Sequence, residues 1–179
     1  MSTFESSLPS PALRKWPALA LCALAASLLL ACPTSGGGTP SDLRLDRDWI
    51  QAHLHGEWLS EWGEVLSIDA GNLTLTYSAV FGVFAGIIMG VMPFNDGITT
   101  GVIIIRYTKK PTDWGQDEPV AGDYVGLLFE NLSANALLFG LPWDLVNSRT
   151  PAQVTLNEAV RAFGVDTEYF NWTSPMTRN

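Results

Sequence analysis

Two cysteines, two histidines and ten lysines plus arginines are few for 179 residues, and each scarcity removes a class of function. Cys22 and Cys32 both sit near the N-terminus, one of them inside an apolar stretch, so neither a disulfide framework nor a cysteine-based metal cluster can be built. With only His53 and His55 available, a serine nucleophile such as Ser60 or Ser67 has almost no choice of base. The charged residues are unbalanced as well. Eighteen acidic residues give a formal net charge of −8, and no basic run is longer than Lys109-Lys110, which excludes nucleic acid as a partner. The same imbalance would repel an anionic membrane surface.

What the sequence does have begins at Arg14-Lys15. This pair precedes "WPALALCALAASLLLAC", the charged-then-apolar order of a secretory signal, which predicts a signal peptide over 1–31. The stretch ends in Leu29-Leu30-Ala31-Cys32, which resembles the bacterial lipobox, where a small residue precedes a cysteine that takes diacylglycerol. The resemblance implies a lipid on Cys32 and attachment to a bacterial membrane, in the periplasmic or the cell-surface leaflet. "PTSGGGTPS" follows, uncharged and rich in Gly, Ser, Thr and Pro, so 32–41 reads as a flexible tether and 42–179 as one domain. Cleavage after residue 31 would also discard Cys22. The domain must then be held together by its core alone, which its length permits.

Alternation of apolar and polar residues predicts strands. In "LTLTYS", Leu73, Leu75 and Tyr77 share one face. "GVIIIRYT" puts Ile103, Ile105 and Tyr107 on one side, and "DYVGLLFE" does the same with Val125, Leu127 and Phe129. Turn residues separate these runs at Asp69-Ala70-Gly71-Asn72 and Asn95-Asp96-Gly97, with a long polar loop from Lys109 to Ala121. Short strands punctuated in this way form an antiparallel sheet. "DRDWIQAHLHG" predicts a helix stopped by Gly56, with Trp49, Ile50, His53 and Leu54 on one stripe. "TLNEAVRAFG" predicts a second, opened by the Thr155/Glu158 capping pair.

The segment "FGVFAGIIMGVM" is ambiguous. Its glycines, Gly82, Gly86 and Gly90, recur at the spacing that lets membrane helices pack, and the apolar run around it almost reaches spanning length. It lacks flanking cations, however, and lies between a strand and an Asn-Asp-Gly turn, so a hairpin strand is the expectation. Glycine within a strand marks the bends that curl a sheet into a barrel.

The order of these features carries a resemblance. A helix leading into Gly56-Glu57-Trp58, then "GVIIIRYTKKP", "GDYVGLLFENL" and "TLNEAVRAF", resembles a group of small spirochaete lipoproteins with a lipocalin-like domain, over roughly Asp46 to Trp172. The resemblance implies an all-β fold, an antiparallel up-and-down barrel of about eight strands with a short helix before the first strand and another before the last. Gly56 and Trp58 are its barrel motif. In lipocalins an arginine near the last strand packs across that tryptophan. Residues 166–172 contain no arginine, which leaves Arg161 as the candidate.

Two functions from different classes follow. In the first, the barrel holds a small apolar ligand such as a fatty acid, lined by Tyr77, Ile87, Gly90, Ile103, Ile105, Val125, Leu127 and Phe129, with Gly86 and Gly90 leaving room for an alkyl chain. In the second, a non-catalytic protein docks a partner through an apolar outer patch of Val102, Ile104, Tyr124 and Leu128. Most of Trp58, Trp62, Trp143 and Trp172 are expected to plug the core. His53, His55 and Glu57 would form a metal site only on a strand, which the predicted helix forbids, and Glu57, Glu61 and Glu64 read as a charged sheet edge. No enzyme activity, metal or cofactor is expected, and the sequons at Asn72, Asn131 and Asn171 are accidental in a bacterial protein.

Overall fold

In the computed structural model, residues 43–80, 82–109, 120–143, 145, 150–164 and 169–179 are described, and every element falls within the unit Gly38–Asn179. The expected signal peptide, Cys32 and tether lie outside the described residues, as does most of the loop after Lys109.

Helix α1, Arg47–His53, is opened by Asp46, whose carboxylate accepts the Trp49 N–H at 2.9 Å. Strands β1 (Gly56–Ser60), β2 (Val65–Asp69), β3 (Thr74–Ala79), β4 (Gly82–Pro93), β5 (Gly101–Lys109), β6 (Tyr124–Glu130) and β7 (Ala136–Gly140) follow as a meander. Helix α2, Leu156–Gly164, precedes the last strand, β8 (Thr173–Arg178). Each strand pairs antiparallel with the next, and β1 pairs with β8 through Trp58↔Arg178 and Ser60↔Met176, so the sheet closes into an eight-stranded barrel. The expected fold class is the observed one.

Local chemistry sets the turns. Asp69 accepts the backbone N–H groups of Gly71 and Asn72, and Asn95 accepts that of Thr99, each a short side chain satisfying a tight corner. β3 starts one residue later than the alternation predicts. Leu73 has a positive φ of 53° and belongs to the preceding turn.

The apolar run is β4, a strand. Its parity changes midway, because the pairing with β5 shifts between Ile88 and Gly90. Met89 is the extra residue, a bulge that bends the strand. Before it, Phe84 and Ile88 face inward with Tyr77 and Ile105; after it, Val91 faces inward with Ile103.

Two coverings lie on the outer face of β4, β5 and β6. Leu43 packs over Gly90, where a Cβ would come within 2.8 Å of its side chain. Helix α2 lays Ala159 and Phe163 on β5 and β6, with Phe163 so close to Gly126 that a Cβ there would stand 2.5 Å from its ring. The capping box is formed: Thr155 N donates to the Glu158 carboxylate and Glu158 N donates to Thr155 Oγ1. Val102, Ile104 and Leu128 are thus buried beneath the chain's own segments, and Tyr124 is half-buried. The expected apolar outer patch is therefore not exposed. The residues of the core cluster run from Ile50 to Met176, joining the barrel interior to the apolar layer buried under α2 on its outer face.

Candidate functional site

One end of the barrel is shut. α1 turns Ile50 and Leu54 into it, and Trp58 at the start of β1 donates its indole N–H to the Leu54 carbonyl at 2.9 Å. Over the Trp58 ring lies the Arg178 guanidinium, 4.4 Å from the ring centroid, which also donates to the His53 carbonyl. The arginine that crosses the tryptophan is thus Arg178, on β8, and not Arg161, which is exposed on α2. The register Trp58↔Arg178 places them side by side, so an arginine near the chain's end in phase with Met176 was the available signal.

The middle is filled. Tyr77, Ile103, Ile105, Val125, Leu127 and Phe129 face inward as expected, yet each is at most 1% exposed. Tyr77 packs on Phe84 and Phe139 at ring separations of 5.2 and 5.5 Å, and Phe84 meets Tyr107 edge-on. Burial at that level leaves no water-sized space beside these side chains. The other two expected lining residues are misplaced. Ile87 pairs with the outward-facing Thr74 and Arg106, and Gly90 stands under Leu43 on the outside. The Met89 bulge accounts for Gly90, and a one-residue error of phase accounts for Ile87.

Above the apolar layer lies a buried polar cluster that the sequence reading missed. Glu64 is 4% exposed; Oε1 accepts the Tyr77 hydroxyl at 2.6 Å and Oε2 accepts the Ser174 hydroxyl. Ser60 Oγ accepts the Trp62 and Glu64 backbone N–H groups, which fixes the β1–β2 turn. Burial, then the bond to Glu64 and its charge, pushes the Tyr77 hydroxyl far above the usual tyrosine range. Glu64 alternates in phase with the inward Leu66 and Ile68, so its burial was legible; it is not part of a charged edge, which a closed barrel does not have. A serine beside a carboxylate is chemically suggestive. Ser174 is 1% exposed, though, and both carboxylate oxygens are already hydrogen-bonded, so the cluster is closed to a substrate.

The end opposite α1 is different. In a meander the β1–β2, β3–β4, β5–β6 and β7–β8 connections meet at one end. Among the described residues, seven of the eight exposed large apolar side chains lie on them: Trp62, Val80, Val120, Trp143, Leu145, Val154 and Trp172. Trp62 and Trp172 stack at 5.6 Å with planes 16° apart while each stays half exposed. The Trp143 backbone N–H donates to the Tyr169 carbonyl, tying the backbone that bears a third indole to the segment that carries Trp172. Of the four tryptophans, most of them expected in the core, only Trp58 is there.

The histidines form no metal site. His53 is exposed rather than core-facing and stacks on Trp49, while His55 accepts the Ala70 N–H. Among the described residues no cluster of three metal-ligating side chains occurs. A shallow cleft of about 40 Å³ beside α1, lined by Arg44, Trp49 and Val91 among others, would admit only a few waters.

Comparison with known proteins adds little. No family model and no curated protein matches the sequence. Among solved structures, the crystal structure of pallilysin from Treponema pallidum is similar over 89% of this chain and 98% of its own, at 12% identity and a TM-score of 0.44.

Proposed function

We propose that this protein is a membrane-anchored bacterial lipoprotein whose filled barrel is a non-catalytic stand for a docking surface, the apolar rim at the end opposite α1. The observation that carries the reading is the grouping of exposed apolar side chains: among the described residues, Trp62, Val80, Trp143 and Trp172 each lie within three residues of a strand end at the same end of the barrel, and three of the four are tryptophans. Exposed indoles clustered at one end are costly in water and are typical of contact surfaces.

The rival reading, a fatty acid inside the barrel, has no such support. The inward side chains already occupy the space an alkyl chain would need. Titrating delipidated protein with a fluorescent fatty acid separates the two. No saturable binding is expected, while retention on a hydrophobic-interaction column should fall for Trp62→Ser/Trp172→Ser. Saturable one-to-one binding, or unchanged retention, would overturn the proposal.

A further inference from the structure

We infer that the occupant of the rim is the interfacial zone of a lipid bilayer built from zwitterionic phospholipid; this rests on the docking reading above. Three observations point to lipid. First, the apolar side chains project from separate connections, not from a groove shaped for a peptide. Trp62 is in the β1–β2 turn, Val80 between β3 and β4, Trp143 just after β7, and Trp172 just before β8. Second, the rim is rich in indole, the side chain that places an apolar body and an N–H donor at headgroup depth.

Third, the chain outside the described barrel brings a bilayer within range. The lipobox-like cysteine lies eleven residues before Leu43, a distance of at most about 40 Å when extended. Leu43 packs on Gly90, and the strand from there back to Gly82 at the rim covers eight residues, roughly 26 Å and less along the barrel axis. The tether is therefore long enough for the lipid on Cys32 and the rim to meet one bilayer. The diacylglycerol implied at Cys32 brings two acyl chains and holds the protein by itself, so the rim contact would set how the barrel lies on the bilayer and not whether it stays attached. The acidic chain sets the lipid class, since it gains nothing from anionic headgroups.

The test uses residues 33–179, which contain the whole closed barrel and its core but no lipid. Phosphatidylcholine vesicles with brominated acyl chains should quench the tryptophan emission saturably and shift it to the blue, and added phosphatidylglycerol should weaken the effect. Trp62→Ala/Trp172→Ala and, separately, Val80→Glu should each lower partitioning about tenfold with an unchanged circular-dichroism melt. Val80 is 93% exposed, so that variant decides the matter if the double substitution disturbs folding. Absent quenching, or equal quenching of wild type and variants, overturns the lipid assignment. If column retention still depends on the rim, docking survives with a protein as partner; if it does not, both readings fall together.

Discussion

Tyr77 and Tyr107 keep their hydroxyls inside the barrel, and burial is the first cause that pushes both above the ordinary tyrosine value; the Glu64 contact adds to it for Tyr77 and the Asp123 charge for Tyr107. In the unfolded chain both would lose a proton near pH 10. The folded state keeps those protons, so the stability they contribute is complete below that pH and falls as pH rises above it. An alkaline titration followed at 295 nm should therefore show these two ionising late, in a step that coincides with loss of the far-ultraviolet dichroism. Tyr107→Phe should shrink the step. Gradual ionisation of both around pH 10 in a still-folded protein would contradict their burial. At this scale the sequence was only partly readable: Trp58 was identified as the barrel tryptophan, but its partner Arg178 was sought upstream, because a six-residue strand interrupted by Pro175 gives little periodic signal.

Helix α2 illustrates how an element's position depends on one residue of another. Its start was legible from Thr155 and Glu158, and its end from Gly164; where it docks was not, because nothing local marks Gly126 as the floor for Phe163. Gly126→Ala should cost about 1–3 kcal/mol by overpacking. Phe163→Ala should cost about 3–5 kcal/mol by leaving a cavity. Because the added methyl fills part of the space the ring vacates, the double variant should lose clearly less than the sum in urea unfolding. Strict additivity would mean that the helix does not rest on that glycine. β4 teaches a related lesson: its strand character was readable from its flanks, but the Met89 bulge was not, and every inward assignment beyond it changed with the parity.

For the whole molecule, the antiparallel barrel was legible from turn spacing and the order of motifs, whereas the filling of its interior depends on how rings from β3, β4, β5 and β7 interlock, which no single segment encodes. Attachment is a whole-molecule property as well. Cells fed a labelled fatty acid should label this protein, Cys32→Ser should abolish the label, and persistence of label in that variant would remove the anchor from the proposed function. The seam between β1 and β8 has another consequence. Its partners, such as Ser60 and Met176, are more than a hundred residues apart, so a chain made from its N-terminus cannot close the ring until β8 is free. Throughout synthesis β1 keeps an unpaired edge and the nascent protein stays loose. For the exported lipoprotein proposed above, this late closure is an advantage: the topology itself postpones the native state, and both free edges, that of β1 and that of the newest strand, stay open until β8 joins them.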